Sequence, residues 1–432
     1  MKRFLRWSLA AAALALALAC LAALALGAAL YLAVEPEARI SRQADITPAH
    51  VERAVQLFLR HDPRQLRPGA QDQLSLRQDD LDVALNYFAL RFARTSTQLV
   101  LGEGTAWLRA STRLPPNPLG QALNLEMALS ATATLPHVDR LRIGRLTVPA
   151  SAANLLLGLG FGQLRELSPG AAKAIDSIDR VSLRSGALDL AYTWRGKAPG
   201  QAGLRFWSAA EQARIDSYLA LLASQSVQWR PLAKDRAMPL AALVRPLLQS
   251  AALHSLDETS AVAENRAALV ALAQFVNARE THALLANPPL AGELDGTPPI
   301  TLNGRTDTAQ HFTVSAALTA MAGSPLSDAV GLYKELSDAQ GGSGFSFNDL
   351  AADRAGTRFG SMATASTASA RQFQHRFAEG LPALVLLPPV ADLPESMQLA
   401  EFNRRFGGVE GSAARSLRND IERRLAALPV YR

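Results

Sequence analysis

Residues 305–360 hold the densest set of ionisable side chains in otherwise apolar, helix-like sequence. Asp307 and His311 stand four apart at the start of DTAQHFTVSAALTAMAG, whose remaining positions are largely apolar or small. Lys334, Glu335 and Asp338 close the next segment, VGLYKELSDAQ. A glycine-rich turn (Gly341, Gly342, Gly344) then leads to Asp349, Asp353 and Arg354. Residues three or four apart share a helix face, so Glu335 goes with Asp338 and Asp349 with Asp353. Packing of these helices brings His311 near the Glu335 and Asp349 carboxylates. Such a set has the makings of an acid–base centre, because burial raises carboxylate pKa values and carboxylate neighbours raise that of histidine. His311 would act as base with Glu335 or Asp349 as partner; Asp338 and Asp353 complete the candidates. One imidazole among several carboxylates also suits a divalent hard cation. A third reading needs no ligand: a buried histidine bonded to aspartate, with Lys334 or Arg354 closing an ion pair, sets the order of packed helices. All three readings stand open on the sequence, and none calls for an organic cofactor.

Several other chemistries are excluded. The chain has no GxSxG elbow, P-loop, GxGxxG or HExxH motif. Its single cysteine, Cys20, rules out an intramolecular disulfide framework and a multi-cysteine metal site. That cysteine lies in an apolar leader, so no cysteine nucleophile is at hand. Ser346 or Asn348 suits the cap of the helix carrying Asp349, and Gly356 and Gly360 give that helix a small-residue face for close packing.

An Asp and a His open one helix, Lys-Glu-x-x-Asp ends the next, and Ser-x-x-Asp-Leu-x-x-Asp-x-x-Gly follows in a third. The matching residues are Asp307, His311, Lys334, Glu335, Asp338, Ser346, Asp349, Leu350, Asp353 and Gly356. In this the segment resembles the YfiM-type lipoprotein family and, more distantly, VanZ-like membrane proteins. The resemblance implies a mainly helical domain over 300–432. That family lacks the N-terminal half present here.

Positioning such residues takes packed helices. EQARIDSYLALLASQ, PLAALVRPLLQSAALHS and ENRAALVALAQFVNAR show apolar residues at three- and four-residue spacing over 204–285. The proline- and glycine-rich PPLAGELDGTPPITLNGR marks a boundary before 300. Near the end, the run at 381–394, LPALVLLPPVADLP, is too short and proline-rich to span a bilayer and predicts a buried strand or loop. One or two helices close the chain, with Arg404, Arg405, Arg423 and Arg424 solvated on their faces.

Residues 45–196 read as an α+β domain. DITPAHVERAVQLFLRHD predicts a helix entered at Thr47-Pro48. LSLRQDDLDVALNYFALRFA predicts a second, with Ser75 as N-cap and Leu81, Leu85, Phe88 and Phe92 on its apolar stripe. The period then falls to two, in TQLVLGEGTAWLRASTRL, LNLEMALSATATL and RLRIGRLTVP, and in VSLRSGALDLAYTW with its turn at Ser185-Gly186. AANLLLGLGFGQLRELS and AAKAIDSID add helices. The run LSLRQDDLDVALNYF, the strand pair and LPHVDRLRIGRLTVPASAANLLL resemble extracytoplasmic YpmS-type proteins, which are similar to tubular lipid-binding (TULIP-like) domains. This implies a curved sheet around a long helix, with an apolar groove able to hold acyl chains. On the residues alone, the apolar strands equally well fill an ordinary core.

The leader sets the compartment. Lys2, Arg3 and Arg6, in a basic flank over 1–6, precede residues 7–34, which carry no charge. About 20 apolar residues cross a bilayer, so this run predicts a transmembrane helix. Basic residues before it and Glu35 and Glu37 after it place the N-terminus in the cytoplasm and the bulk of the chain in the periplasm. Cleavage near its end is the alternative. All but five of the 44 basic residues are arginine, interleaved with acids rather than clustered among aromatics, which excludes a nucleic-acid partner despite the net charge of +6. The expected fold class is therefore α+β: one transmembrane helix, an antiparallel-sheet domain with helices, and a mainly α-helical C-terminal region. The expected role is that of an inner-membrane envelope protein, binding lipid or another envelope component through 45–196. A hydrolase using the His311 site is the alternative, and a scaffold a third possibility.

Overall fold

The computed structural model describes residues 21, 24, 26–61, 67–132, 136–167, 175–195, 208–229, 237–257, 260–278, 298–378 and 384–432. The chain is α+β and divides into two units, residues 1–45 with 61–199, and residues 46–60 with 200–432. Most of the apolar run 7–34, Cys20 included, lies outside the described residues. Its far end is helical over 26–33. Among the described residues no helix is long and apolar enough to cross a membrane.

The chain enters through β1 (Val34–Glu35) and then forms α1 (Pro48–Arg60), the helix expected after Thr47. This helix does not open the first unit, as the 45–196 boundary implied; it belongs to the second. The first unit resumes with β2 (Gln71–Arg77) and α2 (Gln78–Ala93). Ser75 is therefore mid-strand rather than an N-cap. QDQLSLR alternates with period two and pairs along its whole length with a later strand, Gln71 opposite Thr193 through Arg77 opposite Ala187. The apolar stripe expected on α2 is its buried face only in part. Leu81 packs against the cluster of Leu101, Ala106 and Leu183, but Leu85 and Phe88 are exposed, while Asn86 and Tyr87 are buried.

The face of α2 that meets the sheet is polar. The strands β3 (Thr95–Gly102), β4 (Thr105–Arg113), β5 (Ala122–Ser130), β6 (His137–Ile143) and β7 (Leu146–Val148) form an antiparallel sheet in that order, with β1 on β5. As the outermost strand, β3 has N–H groups that no sister strand accepts. Gln78, Asp82 and Asn86, spaced four apart on α2, accept them from Leu101 (2.6 Å), Leu99 (2.7 Å) and Thr97 (2.8 Å). A helix thus covers the sheet edge, one of the ways proteins block edge-to-edge pairing. The helix α3 (Ala150–Leu167) follows β7, and β8 (Ile178–Arg184) and β9 (Ala187–Thr193) form the expected hairpin around Ser185-Gly186, joined by β2 into a three-stranded sheet. Of the helix expected over AAKAIDSID, residues 171–174 lie outside the described residues, 175–177 are helical, and Ile178 and Asp179 already belong to β8.

The second unit is helical. It contains α4 (Ala209–Trp229), a two-residue strand β10 (Met238–Pro239), α5 (Leu240–His254), α6 (Ser260–Val276) and β11 (Ile300–Thr301), which pairs with β10. Then come α7 (Thr306–Ala322), α8 (Ser324–Ala339), α9 (Phe347–Thr364), α10 (Thr367–Ala378), α11 (Leu399–Phe406) and α12 (Ser412–Ala427). The boundary expected before residue 300 does not separate domains, because α4–α6 and α7–α9 share one apolar core. The segment 384–394 is an irregular loop that buries Leu386, Leu387, Val390 and Leu393 in that core. Arg424 is held by Asp392 and Asp420, and Arg405 by Glu401. Helices α7 and α9 approach to backbone contact. A Cβ at Gly356 would strike the Phe312 carbonyl oxygen, and one at Gly360 that of Ala316. This closeness brings the aspartates of α9 against His311.

Candidate functional site

Three helices of the second unit converge on His311. Helix α7 supplies His311 and Ser315, α8 supplies Lys334 and Glu335, and α9 supplies Asp349 and Asp353. The start of α9 is fixed by Ser346, whose hydroxyl accepts from the Asp349 N–H at 3.1 Å, the role sequence spacing gave it. The Ser346 N–H in turn donates to Glu335 Oε2 at 2.8 Å, so one residue caps a helix and orients a carboxylate on its neighbour.

His311 is buried and held at both ring nitrogens. Nδ1–H donates to Asp353 Oδ1 at 3.1 Å, and the same oxygen accepts from Ser315 Oγ at 2.8 Å. Nε2 lies 2.9 Å from Lys334 Nζ and 3.7 Å from Asp349 Oδ2. An ammonium has no acceptor, so the Lys334 contact requires a lone pair on Nε2 and the ring proton on Nδ1. A second proton on Nε2 must expel Lys334 and turn the ring's bond toward Asp349. The lysine is free to leave: its side chain is half-exposed and also bonds Asp338 Oδ2 at 3.1 Å.

Burial and charge shift these groups strongly. Burial disfavours the charged imidazole, yet the Asp353 carboxylate, and then Asp349, outweigh it and push His311 up to about 9. Glu335 is fully buried, and desolvation together with the Asp349 charge pushes it up to about 8. Burial likewise raises Asp349. Glu335 Oε1, Asp349 Oδ1 and Asp353 Oδ2 are buried without a hydrogen-bond partner. Asp353 Oδ2 faces Gly331, where any side chain would meet it. Ordinary cores leave few polar atoms in this condition.

The cluster opens onto a cavity of about 340 Å³ lined by His311, Ser315, Lys334, Asp349 and Asp353, with Arg305 and Asp307 among its other walls. Glu335 does not line it. Asp307, expected beside His311, is instead gripped by Arg305 at 2.6 and 3.0 Å, which holds its carboxyl below the usual range. Among the described residues, the Asp338 carboxylate bonds Lys334 and Ser343, outside the buried cluster. Arg354 pairs with Asp328 at 2.8 Å rather than with the site. His311, Glu335, Asp349 and Asp353 are thus brought together. Sequence reading passed over Ser315, though its place four residues beyond His311 puts it on the same helix face. It also paired Lys334 with a carboxylate alone, not with the imidazole.

Comparison with protein-family models, curated proteins and solved structures finds no match for this chain. The two family resemblances therefore rest on the residues quoted for them.

Proposed function

We propose that the chain is a membrane-tethered envelope protein whose second unit hydrolyses an envelope component in the cavity at His311. One observation carries this reading: Asp353 orients the imidazole through Nδ1, leaving Nε2 to exchange partners between Lys334 and Asp349 on the cavity wall. A ring fixed by a carboxylate on one nitrogen and labile on the other is the arrangement that moves protons in hydrolytic sites. The unpaired carboxylate oxygens beside it argue against a purely structural network, which would satisfy them. The test is turnover of p-nitrophenyl acetate, p-nitrophenyl phosphate, bis-p-nitrophenyl phosphate and p-nitrophenyl glycosides. One reporter class is expected to be hydrolysed, with a loss of about 10²–10⁴-fold in His311→Ala and a large loss in Asp353→Asn. Turnover equal in wild type and His311→Ala for every class rejects the reading.

The tether follows from the charge-free run 7–34 with its basic flank, which also supports the inner-membrane, periplasm-facing placement. For the first unit, binding to membrane lipid is favoured by Leu155, Leu156 and Leu159, exposed together on α3. Flotation of the chain with liposomes, after removal of residues 1–34, tests this; a chain that stays at the bottom of the gradient removes it.

A further inference from the structure

We propose that His311, Glu335 and Asp349 bind a divalent transition-metal cation of the Zn²⁺ or Mn²⁺ class. The cation would take the Nε2 lone pair and supply an activated water that replaces the imidazole as base in the hydrolysis proposed above; its use there, though not its binding, rests on that reading. Each of the three residues offers one ligand atom, and these atoms all lie within 4.8 Å of one another. Metal–ligand bonds of about 2.0–2.2 Å at tetrahedral angles place ligand atoms about 3.3–3.6 Å apart, so the three side chains close on the ion by about an ångström.

Three further features point to a cation rather than to a packed polar network. First, all three residues are buried, and both carboxylates have an oxygen with no donor, Glu335 Oε1 and Asp349 Oδ1. A single cation between them satisfies both. Second, the supporting atoms are already in place. Asp353, braced by Ser315, accepts the hydrogen bond of His311 Nδ1–H and leaves the ring's lone pair on Nε2, while the Ser346 N–H donates to Glu335 Oε2. A carboxylate behind the histidine is the usual outer support of a histidine–metal bond. Third, a positive charge already sits at Nε2, the Lys334 ammonium, on a half-exposed side chain that has Asp338 to return to. One nitrogen and two oxygens without sulfur fit Zn²⁺ or Mn²⁺; Mg²⁺ prefers oxygen and water alone. With only three protein ligands and a cavity against two of them, a coordination position remains for water.

The experiment uses the untagged full-length chain in detergent, stripped with EDTA and titrated with ZnCl₂ by calorimetry and with MnCl₂ by loss of the free-ion paramagnetic resonance signal. One equivalent of either ion is expected to bind at micromolar affinity or tighter. Binding should weaken at least 10-fold in Glu335→Gln and in Asp349→Asn, and should tighten in Lys334→Ala, which removes the competing ammonium. The last variant alters no ligand and no buried carboxylate, so it remains informative if the other two fail to fold. Absence of stoichiometric binding by folded wild type overturns the proposal, as does an affinity unchanged by all three substitutions. Reporter hydrolysis that persists after EDTA without cation binding sinks the cation and keeps the hydrolase. Binding without hydrolysis of any reporter does the reverse.

Discussion

At the scale of the residue, the site is a set of groups held in protonation states they would not choose in water. Glu335 is raised from 4.5 to about 8 and His311 from 6.5 to about 9. Each therefore binds its proton more firmly folded than unfolded, so each contributes stability that is complete below its ordinary value. That contribution is lost as pH rises, through pH 8 for Glu335 and through pH 9 for His311. In EDTA, stability of the full chain is expected to fall between pH 5 and pH 9, by on the order of 1 kcal/mol per pH unit for each group inside its window. Urea unfolding across this range measures it. Glu335→Gln should flatten the lower half of the curve; a stability that rises over the same interval contradicts the assignment. The candidate residues were legible from the one-letter code because i, i+4 spacing on helices survives any packing. Their partners were not. That Asp353 rather than Asp349 takes Nδ1 depends on how far α9 slides along α7, and this is set by Gly356 and Gly360 meeting backbone rather than side chains.

At the scale of the element, the helix α2 shows why its apolar pattern misled. Leucine and phenylalanine at helical spacing predict a core face, yet here the face that matters is Gln78, Asp82 and Asn86, which accept the free N–H groups of β3. A polar stripe reads as solvated unless the strand it serves is known to be outermost, and strand order is a tertiary fact. The hairpins, by contrast, were readable from period-two alternation and glycine turns, since both are local. Asp82 also pairs with Arg42 at 2.7 Å. Asp82→Ala should cost about 1–3 kcal/mol by leaving the Leu99 N–H without an acceptor. Asp82→Asn, which keeps an acceptor oxygen, should lose less. Urea unfolding compares the two; an alanine variant as stable as wild type would mean that water replaces the carboxylate there.

At the scale of the whole molecule, the leader and the two units follow different rules of legibility. The tether is proposed from the composition of residues 7–34 alone, whereas the division into units depends on which segments share a core. A reporter pair fused after Arg432 tests the tethered topology. Alkaline phosphatase should be active there and green fluorescent protein dark, and the opposite result would place the chain in the cytoplasm and withdraw the envelope substrate. The helix α1 carries a further consequence. It belongs to the second unit, packed against α8, although the chain on both sides of it belongs to the first. Its partner is made more than two hundred residues later. At synthesis rates of about 5–20 residues per second, α1 waits on the order of tens of seconds for α8. The nascent α1 therefore goes without its α8 contact while the whole first unit is made, and the helices around His311 are complete only once Thr364 has emerged.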